Sequence, residues 1–286
     1  MTRNFTILIL LILLQAGCIN QTLLPALDPL PSWKNTPVKE SIIRYVQQIS
    51  DPNSVLYVEP ADRIAVFDFD GTLMVEKPDY IQKVFKQAFP SFIPSPAAFD
   101  TLVAAWSNTA RHPRFQRLYK DCVYQPMLEL LNFFEAYNIR NFICTGSDMD
   151  FIRVFSSPAY GIPTERIIGT SYRVRFDSLK KEIVRTSEIN SECWKSGKPE
   201  NIYMHIGKKP LIVIGNANGD IPMIRYAGTN KHPSLRLLLI HDDAVREYAY
   251  YEGAEEAIRT ARAEHWIMIS MKNDFKTIFP FIALPR

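Results

Sequence analysis

The chain has 286 residues, enough for one α/β domain with an insertion or for two small domains, and 47% of them are hydrophobic, so a sizeable core is available. Lysine and arginine (33) nearly balance aspartate and glutamate (30), and no basic stripe stands out, which argues against a nucleic-acid partner. The four cysteines form no C-x-x-C pair and no zinc spacing.

At the N-terminus Arg3 precedes an apolar run over 5–14. The run is about half of the ~20 residues a membrane-spanning helix needs. It reads as the apolar region of a secretory signal. Leu14-Gln15-Ala16-Gly17-Cys18 follows, and small residues directly before a cysteine resemble a bacterial lipobox; Gln15 departs from it, where an aliphatic residue is usual. The expectation is a signal peptide over 1–18 and an exported protein facing the periplasm or cell exterior. Cys18 would be lipidated and would make the membrane contact. An ordinary cleaved signal is the alternative. Residues 19–37 are proline-rich and poorly periodic, as a tether would be. Cys122, Cys144 and Cys193 are read mostly as core residues.

A helix is predicted over 37–49, where Ile42, Ile43, Val46 and Ile49 recur at helical spacing. Five short, nearly unbroken apolar runs follow, at 64–67, 142–144, 211–214, 237–240 and 267–269, and each suits a strand buried on both faces of a parallel sheet. Helical stripes lie between them, such as Met127, Leu130, Leu131 and Phe134, and the segment 254–263. The pattern predicts a doubly wound, Rossmann-like parallel α/β sheet. The first two runs are too far apart for one crossover. The aromatic-rich stretch 80–114 therefore reads as a small helical cap inserted after the first strand, with the core domain formed by 38–79 and 115–286. A second stretch, 172–199, reads as irregular. Phe85, Phe89, Phe92 and Phe99 are expected to form the cap's own core.

Ligands of open α/β sheets bind at the carboxyl ends of the strands, so the residues after each run matter most. The first run leads into Asp68-Phe69-Asp70-Gly71-Thr72. Carboxylates at i and i+2 of an extended segment face the same side, and Gly71 permits a tight turn. Like charges this close are costly to bury unless a cation separates them, and a hard ion such as Mg²⁺ suits oxygen ligands.

This segment resembles the first motif of the haloacid dehalogenase superfamily, D-x-D-G-T after a hydrophobic strand. The resemblance implies that Asp68 attacks phosphorus and becomes an aspartyl phosphate. It implies that Asp70 protonates the leaving oxygen and then deprotonates water. The second motif, a strand ending in Ser or Thr, is matched by Cys144-Thr145-Gly146, so Thr145 and Gly146 would bind the phosphoryl oxygens. The third is a lysine; Lys198 in Gly197-Lys198-Pro199 is preferred over Lys180, Lys181 and Lys195. The fourth is matched by Gly215-Asn216-Ala217-Asn218-Gly219-Asp220, which would place Asn216 and Asp220 with Asp68 and Asp70 at the metal. The phosphoserine phosphatase branch usually has an aspartate where Asn216 stands.

The match is closer to a bacterial subgroup of phosphoserine-phosphatase-like hydrolases whose segment reads G-N-x-N-G-D. This resemblance extends to Leu30-Pro31-Ser32-Trp33, to Pro210 through Asp220, to Pro233-Ser234-Leu235-Arg236, to His241-Asp242-Asp243 and to Ser270-Met271-Lys272.

Glu76, Asp79 and Tyr80 are candidates for the substrate's non-phosphate part. Asp148 and Arg153 lie just beyond Thr145, where a surface role for Arg153 is favoured. Asp242 and Asp243 are expected to act as caps. The implied activity is hydrolysis of a small phosphorylated metabolite. Asp70 argues against a dehalogenase, which lacks that second aspartate. A phosphotransferase remains an alternative. So does a catalytically weak or inactive lipoprotein that only binds a ligand, for which Asn216 is the single favouring feature.

Overall fold

The computed structural model describes residues 28–281, so the expected signal and Cys18 lie outside the described residues. Among the described residues no helix is long and apolar enough to cross a membrane. Segment 28–36, expected as the end of a tether, is packed instead. Leu30 and Trp33 are buried, the Trp33 ring meets Phe275 edge-on at 4.9 Å, and its indole N–H donates to the Pro126 carbonyl at 3.0 Å. Two large apolar side chains outweigh the local proline content, since burying each stabilises by ~2 kcal/mol or more. Helix α1 (Pro37–Ser50) follows, with Ile42, Val46 and Ile49 on its buried face.

Seven strands form one sheet: β1 (Ile64–Phe67), β2 (Arg140–Asp148), β3 (Ile167–Asp177), β4 (Glu182–Ser191), β5 (Ile212–Gly215), β6 (Leu235–Ile240) and β7 (Ile267–Ser270). Their order is β4-β3-β2-β1-β5-β6-β7, and every neighbouring pair is parallel except β3 with β4. The expected doubly wound sheet is therefore present. Residues of β1 alternate between two cores, as the pleat requires. Ala65 and Phe67 pack with α1, α4 (Gln125–Ala136) and α5 (Met149–Tyr160). Ile64 and Val66 pack with α6 (Gly197–Ile206), α7 (Ile221–Gly228) and α8 (Glu255–Ala263). Cys122, Cys144 and Cys193 are all buried.

The stretch 172–199 is not irregular. Residues 172–191 of it complete β3 and form β4, an antiparallel ribbon projecting past the parallel sheet. Val174, Phe176, Ile183 and Ile189 on this ribbon are exposed, so no buried apolar run marks it. The available signal is the period-2 alternation Tyr172-Arg173-Val174-Arg175-Phe176.

Residues 80–114 contain α2 (Ile81–Ala88) and α3 (Pro96–Ser107), started by Ser95, whose hydroxyl accepts the Ala98 N–H. Phe85 contacts Phe99 and Trp106, but also Phe151 of α5 at 5.2 Å. The cap's interior is thus continuous with the main core. Arg185 of β4 fastens the far side. It is buried, its backbone N–H donates to Pro94 O at 2.8 Å, and its guanidinium lies over Phe99 and pairs with Asp148 and Asp150.

Candidate active site

From β1 the chain passes to β2 on one side and later returns to β5 on the other. Such a switch point opens a crevice at the carboxyl ends of the strands. Asp68 enters it directly from β1, tied to the sheet by its N–H to Ile214 O (2.9 Å). The next residues turn sharply: Phe69 O accepts from Thr72 and Leu73, and Gly71 sits at φ +75°, its N–H on Met74 O at 2.8 Å. A Cβ on Gly71 would lie 2.1 Å from Asn216 Nδ2, so both the left-handed backbone and the close approach require glycine here. Buried His241 supports the turn from outside, with Nε2 2.8 Å from Gly71 O and Nδ1 3.2 Å from Glu247.

Lys198 lies at the start of α6 and is 1% exposed. Its Nζ donates to Asp68 Oδ1 (2.5 Å), Asp220 Oδ1 (2.6 Å) and Cys144 O (3.1 Å), which uses all three of its protons. Burial disfavours the ammonium, but Asp220 and Asp68 overcome this and hold Lys198 charged well above the usual lysine range. Asp68 Oδ2 is left facing only the Thr72 hydroxyl, at 3.4 Å. Burial, and then the Asp220 charge, push Asp68 well above the usual carboxylate range against the pull of Lys198.

Thr145, at the end of β2, is buried, and its Oγ1 accepts the Ser147 N–H at 3.0 Å. Its own proton is thereby free to point at a ligand. The helix cap is Asp148, which accepts from Asp150 N. Gly146 and Ser147 line the same cavity. The Ser147 hydroxyl donates to Asp70 Oδ2 at 3.1 Å, whereas Asp70 Oδ1 is buried without a partner among the described residues. Burial and the Glu76 charge raise the Asp70 carboxyl to about 7.

On the β5 side, Asn216 Oδ1 accepts from Thr72 Oγ1 (3.2 Å), and its amide donates to Glu76 Oε1 (3.2 Å). Tyr250 donates to the same Glu76 oxygen at 2.6 Å. Burial lifts Glu76 above the usual carboxylate range. Glu76 thus stands beside Asn216, a carboxyl next to the amide. Asp220 lines the same cavity as Asp68, Asp70 and Asn216, and both of its oxygens carry hydrogen bonds. One oxygen is held by Lys198, and the other accepts the Asn216 and Ala217 N–H groups at 2.9 and 3.0 Å. Its role is to fix Lys198 and the β5 loop.

Asp79 pairs with Lys83 and is not among the cavity-lining residues. Arg153 pairs with Asp150 on the surface of α5. Asp243 caps a turn through the Val245 and Arg246 N–H groups, and Asp242 accepts from Lys272 N near α9 (Met271–Asp274). Lys180 and Lys181 lie in the turn between β3 and β4, away from Asp68. Ser147, Glu192, Trp194, Lys83 and Lys86 line the cavity without having been singled out by any motif.

The cavity measures about 640 Å³, a size suited to a small metabolite. At its base Asp68, Asp70, Glu76 and Asp220 face a single buried lysine, so ionising all four acids leaves an excess of negative charge. The oxygens Asp68 Oδ2 and Asn216 Oδ1 are held close together by the shared Thr72 hydroxyl. Among the described residues, no three His, Cys, Asp or Glu side chains are arranged to hold a metal ion by themselves. The donors here are instead a few carboxylate and amide oxygens. That set fits Mg²⁺, which keeps several waters and takes few protein ligands. Asp68, Asp70 and Asn216 are the residues that would hold it.

Fold and site together define an open α/β protein with an acid–lysine centre at its switch point. Among solved structures, a conserved protein of unknown function from Anaerococcus prevotii has a TM-score of 0.54 at 12% identity, over 82% of this chain and 91% of that one. It shares the fold. Also similar are a phosphoserine phosphohydrolase-like protein from Francisella tularensis (TM-score 0.41, 15% identity, 68% of this chain and 92% of that one) and a HAD family hydrolase from Salmonella enterica (0.39, 14%, 74% and 68%). No protein-family model matches the chain, and the comparison with curated proteins yields no match.

Proposed function

We propose that the protein is a Mg²⁺-dependent phosphatase of the haloacid dehalogenase superfamily that hydrolyses a small phosphate monoester through an aspartyl phosphate on Asp68. The observation that carries this reading is the state of Asp68. One oxygen is clamped by Lys198, and the other faces a 640 Å³ cavity at the end of β1. Mg²⁺, when bound, supplies positive charge that lets an anionic phosphoryl group approach these carboxylates.

The protein's own residues then divide the work. Thr145 Oγ1 and the Gly146 N–H orient the phosphoryl oxygens, and Lys198 holds Asp68 in line. Asp68 Oδ2 forms the new bond to phosphorus as the ester P–O bond breaks. Asp70 donates its proton from Oδ1, the oxygen with no partner, to the leaving oxygen. With the leaving group gone, the same oxygen takes a proton from the water that releases phosphate. A carboxyl titrating at about 7 can serve both steps near neutrality.

The raised carboxyls set a pH signature. Asp70 rises from 3.8 to about 7, so folded protein binds this proton more tightly than unfolded protein does. The contribution of Asp70 to the stability of the metal-free protein therefore falls as pH rises from about 4 through about 7. A metal at this site would favour ionised Asp68, whose carboxyl burial and the Asp220 charge also push up, so the rise in melting temperature on adding Mg²⁺ is expected to be larger at pH 8 than at pH 5.5. Equal rises at both pH values, read by scanning calorimetry, would remove the metal from this site.

We further propose that the enzyme works outside the cytoplasm on a lipid tether at Cys18. The apolar run over 5–14 and Ala16-Gly17-Cys18 support this. Cys18→Ser should move the protein from the membrane to the soluble fraction of its host; an unchanged distribution excludes the anchor.

A further inference from the structure

Beyond the phosphoryl end, the cavity has a second half that the phosphatase chemistry does not use. It is lined by Tyr80, Lys83, Lys86 and Gln87 from the cap side and by Glu192 and Trp194 from the segment between β4 and α6. Trp33, Phe69, Phe85 and Tyr124 are buried, whereas Trp194 is 46% and Tyr80 48% exposed. Phe92, Phe176, Tyr203 and Tyr251 are exposed as well, but of the exposed rings it is Tyr80 and Trp194 that line this cavity.

Trp194 is also held in a particular way. A Cβ on Gly219 would lie 2.9 Å from the six-membered ring of the indole, and one on Gly146 would lie 3.2 Å from it. The ring therefore rests on two glycine backbones, one following the phosphate-binding Thr145 and the other preceding Asp220. A side chain at either position would displace it. Its backed side is fixed by main chain, and the remainder of the ring is open to the cavity. A rigid aromatic surface beside the reacting phosphorus binds flat, polarisable groups by stacking and gives little to a flexible aliphatic chain. The face of α2 that carries Lys83, Lys86 and Gln87 at i, i+3 and i+4 supplies donors for polar substituents at the rim of such a group.

We propose that the leaving group of the natural substrate carries a planar aromatic ring that stacks on Trp194, an aryl- or nucleobase-bearing phosphate monoester rather than an aliphatic one; the proposal rests on the phosphatase reading above. The test compares esters of matched leaving-group reactivity, 2-phenylethyl phosphate and n-butyl phosphate, with adenosine 5′-monophosphate and glycerol 3-phosphate as a second pair. In each pair the ring-bearing ester is expected to have a kcat/KM about tenfold higher or more. Trp194→Ala should bring each ratio close to one, and Trp194→Phe should keep most of the preference. If Trp194→Ala does not fold, Gly219→Ala serves instead, because its methyl group displaces the indole and should lower the same ratios. Binding of the four esters to the Asp68→Asn protein, followed by titration calorimetry, reads the preference without chemistry.

Equal kcat/KM values within each pair, or ratios unmoved in Trp194→Ala, would overturn the stacking proposal and leave the phosphatase reading intact. No phosphate release from any ester would sink the phosphatase reading. In that case, calorimetric binding that still favours the rings and is lost in Trp194→Ala would support Trp194 as the ring-binding surface, and no ring preference would overturn it.

Discussion

Asp68→Asn is expected to lower Mg²⁺-dependent hydrolysis of p-nitrophenyl phosphate by at least ~10⁴-fold, the scale seen when a group that forms or directly sets up a covalent intermediate is removed. The amide keeps the size of the side chain and its one oxygen can still accept from Lys198, while an NH2 group replaces the nucleophilic oxygen that faces Thr72, so substrate geometry is largely retained while the nucleophile is lost. The fold should survive. Lys198 keeps Asp220 and Cys144 O as partners. Four acids become three around that lysine, and burial together with Asp220 already works against charge on Asp68. The metal-free melting temperature at pH 8 is therefore expected to hold or rise. A variant that keeps more than a few per cent of wild-type turnover would remove Asp68 as the nucleophile.

Lys198→Met should combine a large catalytic loss with a large loss of stability. It deletes the cation between Asp68 and Asp220, which are 7% and 2% exposed. Removing one partner of a buried ion pair costs ~3–5 kcal/mol, because the remaining charge is left uncompensated. For a domain of this size that corresponds to a fall of roughly 10 °C in melting temperature. Two observations separate this cause from lost packing. Lowering the pH should recover part of the loss, because protonated Asp68 no longer needs a counter-charge. Adding Asp220→Asn to Lys198→Met should also recover part of it, since the unpaired charge is removed. A loss that is independent of pH and simply additive in the double variant would show that the lysine acts through its bulk.

The two variants probe the part of the site that was most legible in the sequence. Asp68, Asp70 and Gly71 could be read because strand end, paired acids and turn are contiguous, and local chemistry at fixed spacing needs no knowledge of the fold. Thr145, Lys198 and Asn216 lie far from Asp68 in the chain, and it was the superfamily resemblance, together with their positions after strands or at a helix start, that pointed to them. Asp220 was found by the same rule, but its hydrogen bonds to Lys198 and to the Asn216 and Ala217 N–H groups were not legible. A motif position says which loop a carboxylate occupies, not which of its oxygens the neighbouring N–H groups and Lys198 will engage.

By itself, the sequence determined the doubly wound sheet, because five buried apolar runs alternating with helical stripes have few other ways to cover both faces, and it singled out Asp68, at the end of the first of them, as the candidate nucleophile. Only the tertiary structure decided the rest. The ribbon of β3 and β4 leaves no buried pattern to read. The burial of Leu30 and Trp33 depends on Phe275 and Pro126 arriving from elsewhere. The pairing of Glu76 with Asn216, Ser147 with Asp70, and Trp194 with two glycines joins residues from separate loops, 140, 77 and up to 48 positions apart. Such contacts are set by where the sheet brings its loops together, and no local spacing encodes them.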